Sequence, residues 1–241
     1  MCNLYSVSMK VLIGCPTSDY KSYCLNEYIE GLKNITFKNA DFIIIDNSKK
    51  EDYIIKIKAL TKDLKNFRVL KDPNWFEGAK DRIIHSRNLI REIALKENYD
   101  YFLSLEQDVI PPKDVVEKLL SYKKDIISGV VFCDLIINGE LTYKPMLWIK
   151  AGKDQNGKEL MRYLEPYEVE EESLLELRST SLSCLLLSRN ILEKIKFRYT
   201  TGFDDVELCN DAKDLGFKIY VDCSVKCKHL IKGMDWDKIK K

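Results

Sequence analysis

With 241 residues, 45% of them hydrophobic and 32% charged, the chain is long enough for one large domain with a substantial buried core. A net charge of +1 argues against a nucleic-acid partner, and no apolar run reaches the length that spans a bilayer. Residues 1–9 lack the charged-then-apolar pattern of a signal peptide, so a cytoplasmic chain is expected.

Residues 10–15 (KVLIGC) are expected as a short buried strand, and Pro16-Thr17-Ser18-Asp19 as the turn into a helix over about 20–32. In that helix Cys24, Leu25, Tyr28, Ile29 and Leu32 recur at helical spacing. Residues 41–46 (DFIIID) read as a second buried strand, closed by the polar turn Asn47-Ser48. A helix over 50–64 and a short strand over 67–70 follow, then a loop over 71–78. The periodicity is clearest in 81–96, where Ile83, Ile84, Leu89, Ile90, Ile93 and Ala94 mark the buried side of a helix. Residues 100–106 make the next strand. Pro112 is expected in the first turn of another helix, where its missing N–H costs nothing. This rhythm implies a mostly parallel sheet covered on both faces, with ligands beyond the carboxyl ends of its strands.

The second half is less regular. Strands are expected over 124–132, 142–150 and 180–188, a polar loop over 152–157 and an exposed acidic stretch over 165–172. A helix over 204–215, a strand over 217–222 and a further extended piece over 224–230 complete the chain. No glycine- or serine-rich linker and no repeat divides it, so a single domain over 1–241 is expected. The eight cysteines are scattered, mostly inside apolar runs, and read as small buried hydrophobes in a reducing compartment. Cys223, Cys227 and His229 cluster, but they lack the second pair of a structural zinc site.

The strand over 100–106 closes on two acids, Glu106 and Asp108. On an extended chain their carboxylates would face the same side, where they repel unless a cation or a reacting group uses them. Oxygen-rich ends of this kind suit a hard divalent ion that also holds phosphates. Asp46 occupies a second strand end of the same sort.

Glu106-Gln107-Asp108 resembles the D-x-D motif of nucleotide-sugar-dependent glycosyltransferases of the GT-A fold, family 2-like, with Glu in the first position. Other landmarks of that family follow in order over about residues 10–230. They are the strand and turn over 11–17, the triplet Asp46-Asn47-Ser48, and Ser86-Arg87-Asn88 in place of Ala-Arg-Asn. The segment Asp204-Asp205-Val206-Glu207-Leu208 and then His229 complete them. The fold this implies is a GT-A (Rossmann-like) α/β/α sandwich with a mostly parallel central sheet. Residues of about 10–108 would form the nucleotide-binding half and about 109–230 the acceptor half, with 231–241 a basic tail.

The resemblance implies transfer of a sugar from a nucleoside diphosphate sugar to a hydroxyl of a glycan, lipid-linked or protein acceptor. Mn2+ or Mg2+ would be held by Asp108 and His229, with Glu106 nearby and expected outside the direct ligands. Asp205 would be the general base of an inverting displacement, with Asp204 beside it. Pro16, Thr17, Asp46, Arg87 and Gln107 would serve the nucleotide. The residues themselves leave other readings open: Asp46 as an Asx-turn, Arg87 as a surface cation, Asp204 as a helix cap paired with Glu207. For the whole chain the alternative is a non-catalytic nucleotide- or sugar-binding protein on the same fold. A sugar-phosphate nucleotidyltransferase would need a glycine-rich loop after the first strand, which Gly14-Cys15-Pro16-Thr17-Ser18 does not supply. Lys226, Lys228, Lys232, Lys238, Lys240 and Lys241 would suit peripheral contact with an anionic membrane, though Asp235 and Asp237 interrupt them.

Overall fold

The computed structural model of the protein describes residues 9–200 and 202–231. Strand and helix alternate from β1 (Val11–Thr17) through a 3-10 segment (Asp19–Cys24) into α1 (Leu25–Lys33), β2 (Ala40–Asp46), α2 (Asp52–Thr61) and β3 (Phe67–Lys71). Next come α3 (Ala79–Lys96), β4 (Tyr101–Leu105), the two-residue β5 (Val109–Ile110) and α4 (Val115–Ser121). The second half is richer in strands: β6 (Ile126–Ile137), β7 (Glu140–Pro145), β8 (Leu147–Lys153), β9 (Glu159–Tyr163), β10 (Leu174–Leu177), β11 (Ser179–Thr180) and β12 (Cys184–Ser188). The described chain ends with α5 (Arg189–Lys194), α6 (Asp204–Asp214) and β13 (Ile219–His229).

One sheet takes strands from both halves, in the order β10-β13-β6-β12-β4-β1-β2-β3. It is parallel from β3 through β4. β12 then enters antiparallel between β4 and β6, while β6 and β13 run parallel. β8, β9 and β11 form a small separate sheet. Alternating side chains of the buried strands feed two cores. Val11, Ile13 and Cys15 pack with Leu25, Tyr28, Ile57 and Val116 of α1, α2 and α4. Leu12, Ile43 and Ile45 pack with Ile90, Ile191 and Leu208 of α3, α5 and α6 on the opposite face. The layering is therefore helix, sheet, helix. Within it Gly14 allows β1 to lie close on β2, because a Cβ there would fall 1.9 Å from the Ile43 carbonyl oxygen.

Several expected elements differ. The helix expected over 20–32 opens as a 3-10 segment and becomes α-helical only at Leu25. Pro112 lies before α4 rather than in it; its carbonyl accepts from Val115 N at 3.1 Å, so a turn leads into the helix. The strand expected over 142–150 is two strands. Asn138 and Gly139, at φ of 53° and 85°, fold β6 back on β7, and Met146 N–H bonds to Val131 O at 2.8 Å where the chain leaves for the second sheet. The pieces expected over 217–222 and 224–230 are the single strand β13, irregular between Val221 and Lys226. The acidic stretch over 165–172 contains a 3-10 turn (Pro166–Val169) that buries Val169, so it is not wholly exposed. All seven described cysteines are buried and free, and most of the basic tail, 232–241, lies outside the described residues.

Candidate active site

β4 ends at Leu105, and a turn closed by Val109 N–H on Glu106 O (2.9 Å) carries Glu106, Gln107 and Asp108. Because this stretch is not extended, the two acids do not pair on one side: Glu106 joins Arg87, whereas Asp108 joins Lys21 and His229. The short β5 explains how a residue from the far end of the chain arrives there. It pairs antiparallel with the end of β13, Val109 opposite His229, and Leu230 N–H donates to the Asp108 carbonyl at 2.7 Å.

His229 Nδ1 lies 2.7 Å from Phe132 O, and its Nε2 lies 3.4 Å from Asp108 Oδ2. The carbonyl claims the Nδ1 proton, so the second ring proton, on Nε2, faces Asp108 and has to leave before Nε2 can ligate a metal. The Lys21 ammonium contacts the same Oδ2, while the buried Oδ1 has no hydrogen-bond partner. Burial alone would raise the Asp108 pKa, but the hydrogen bond from His229 and the charge of Lys21 outweigh it and bring it down to about 2. For His229, burial disfavours the imidazolium, yet the contact with Asp108 prevails and lifts its pKa to about 10. A buried carboxylate oxygen lacking a partner, beside an imidazole oriented by a backbone carbonyl, fits a divalent cation with oxygen and nitrogen ligands. Among the described residues no group of three or more His, Cys, Asp or Glu donors is assembled, so water or phosphate oxygens would have to complete the shell.

A second cluster adjoins the first through Glu106. Arg87, on α3, is buried rather than a surface cation. Its Nη2 donates to Glu106 Oε1 at 2.6 Å, its Nη1 to Ser104 Oγ at 3.3 Å, and its Nε lies 2.8 Å from Asp204 Oδ2. Asp204 therefore does not cap α6: the N-cap is Phe203, with no side-chain cap, and the Asp204 carboxylate is spent on Arg87. Glu207 instead accepts from Thr200 and Gly202 in the preceding loop. Asp205 is partly buried, and its Oδ1 accepts from Val206 N–H at 2.7 Å. Burial, then the neighbouring charge of Asp204, push its pKa up to about 6. Such a carboxylate is ionised at neutral pH yet basic enough to accept a proton.

The residues expected at the nucleotide are mostly turned inward. Asp46 is fully buried; its Oδ1 accepts from the Ser48 backbone (2.9 Å) and hydroxyl (2.5 Å), and its Oδ2 meets Lys71 Nζ at 2.9 Å. This is the Asx-turn arrangement. Gln107 is buried as well: its carbonyl accepts from Thr17 and from Tyr53 OH (2.9 Å), and its amide donates to Lys21 O at 2.5 Å. Pro16 lies within β1, opposite Ile45.

Two features escaped the sequence reading. Asp72, buried just past β3, accepts from Ser86 Oγ at 2.6 Å and pairs with His85 at 2.8 Å, next to Asn47. The strand-end rule that singled out Asp46 applies to it equally. Lys21, by contrast, carries no sequence signal.

Neither a family model nor a curated protein sequence matches the chain significantly. Solved structures do match in fold. GalNAc-T7 with UDP, GalNAc and Mn2+ superimposes at a TM-score of 0.65 with 14% identity, over 93% of this chain and 44% of that one. The mannosyltransferase PcManGT from Pyrobaculum calidifontis, in complex with GDP-Man and Mn2+, matches at 0.64 with 10% identity, over 96% and 60%. S. aureus TarS 1-349 matches at 0.55 with 14% identity, over 90% and 60%. The chain thus spans 44–60% of the length of these three solved chains. Its fold is that of the GT-A glycosyltransferases.

Proposed function

We propose that the protein is a metal-dependent glycosyltransferase, moving a sugar from a nucleoside diphosphate sugar to an acceptor hydroxyl with inversion. The observation that carries this reading is the Asp108 corner: a buried, unpartnered carboxylate oxygen beside an oriented imidazole, at the carboxyl end of β4 in a GT-A fold. UDP and GDP-Man in the matching structures support a nucleoside diphosphate donor. Mn2+ or Mg2+ held by Asp108 and His229 would neutralise charge developing on the departing diphosphate.

The chain's own residues supply the rest. Asp205 accepts the proton of the acceptor hydroxyl as its oxygen attacks the anomeric carbon, and a single direct displacement inverts that centre. Arg87 binds Glu106 and Asp204 and lowers the Asp205 pKa against the upward push of burial and Asp204, keeping the base ionised at neutral pH. Glu106 is thereby a partner of Arg87 and not a metal ligand. Asp46 serves a nucleotide base if Lys71 yields one of its oxygens, while Thr17 and Gln107 act from behind by fixing the segment that carries Lys21.

Turnover of sugar nucleotides by the wild type, Asp108→Ala and Asp205→Asn tests the assignment. Asp205→Asn is expected to lose roughly 10²–10⁴-fold in rate, and Asp108→Ala to lose both rate and metal dependence. An unchanged rate in Asp205→Asn would remove it as the base.

A further inference from the structure

We infer that Lys21 couples metal binding to nucleotide binding, by occupying Asp108 in the free protein and turning to the diphosphate when metal arrives; this rests on the metal site proposed above. Asp108 is almost wholly buried, yet the ammonium on its Oδ2 comes from a side chain that is 24% exposed and reaches in from another segment. The backbone of that segment is held firmly. Gln107 Nε2 bonds Lys21 O at 2.5 Å, Asp19 N–H donates to Ser48 Oγ at 2.8 Å, and Tyr23 OH donates to Leu230 O at 3.0 Å. The lysine side chain can therefore leave Asp108 without displacing the backbone that carries it.

An ammonium in contact with the carboxylate repels an arriving divalent cation, so the two compete for Asp108. A displaced ammonium needs another anion, and a diphosphate beside the metal supplies oxygens for it. Lysine suits this exchange, being a compact charge on a flexible stem. The consequence is reciprocal: nucleotide draws Lys21 away and tightens metal binding, and metal tightens nucleotide binding by the same factor. Lys21 is thus a positioning residue as well as a counter-ion.

Calorimetric titration of Mn2+ into the nucleotide-free full chain, repeated with saturating UDP or GDP, tests this. Without nucleotide, Lys21→Met is expected to bind Mn2+ about five- to a hundredfold more tightly than wild type, and to lose a matching part of the coupling to nucleotide. Lys21→Arg keeps the cation and should retain the weak wild-type affinity. Unchanged or weaker Mn2+ binding in Lys21→Met, with Asp108→Asn still abolishing it in the wild type, would overturn the role of Lys21 and leave the metal site standing. Mn2+ binding that survives Asp108→Asn, or its absence from every variant with and without nucleotide, would overturn the metal site and this inference with it.

Discussion

Arg87 meets three of the protein's acids from one buried position: it contacts Glu106 and Asp204 directly and moderates Asp205 through space. Removing the guanidinium leaves two carboxylates without their counter-charge. Arg87→Met is therefore expected to lower stability in denaturant by about 3–5 kcal/mol, and to shift the acid limb of the pH–rate profile upward. The Asp205 pKa of about 6 has a consequence for stability with the opposite sign. The folded state binds this proton more tightly than the unfolded chain does, so stability falls as pH rises from about 4 to 6. Asp205→Asn should thus raise the unfolding free energy at pH 7 by on the order of 1–3 kcal/mol, and raise it little at pH 4. In the wild type kcat/KM should climb through about pH 6 and level above it, as expected of a base that must be ionised. Residue types and their order singled out Asp108, His229 and Asp205 in the sequence, and the structure brings the first two together. The partners of Glu106 and Asp204 were not, because an arginine on an amphipathic helix looks the same whether it faces solvent or a buried acid.

The element that unites Asp108 with His229 is β5, two residues long. No periodicity can announce so short a strand, yet its pairing with β13 is what sets His229 beside Asp108. The hairpin turn that joins β6 to β7 was more available. Asn138-Gly139 adopts positive φ at both positions, the geometry of a two-residue hairpin turn, and this dipeptide is its strongest local signal. Gly139→Val should cost on the order of 1–2 kcal/mol in equilibrium unfolding, since a side chain is strained at φ near +85° even with open space around it. A negligible cost would show that the turn relaxes to another type. α5 was missed for a different reason: its six residues, capped by the Ser188 hydroxyl, are too few to show a helical period.

At the scale of the whole molecule, the first half was readable because its strands are parallel, all but the edge strand β3 are largely buried, and helices of ordinary length separate them. The second half was not, because β12 inserts antiparallel between β4 and β6, and such long-range order leaves no local trace. Among the described residues no helix is long and apolar enough to cross a membrane. The fold places Asp108 and His229 together and brings Glu106, Arg87, Asp204 and Asp205 alongside, which is why a donor bound through metal is the central claim. A thermal-shift panel of UDP-, GDP- and dTDP-sugars, each with and without Mn2+, tests it most directly. One nucleotide series is expected to raise the melting temperature with Mn2+ far more than either component does alone, and Asp108→Ala to abolish the difference. Stabilisation by a sugar nucleotide that is indifferent to Mn2+ and to Asp108→Ala would contradict it.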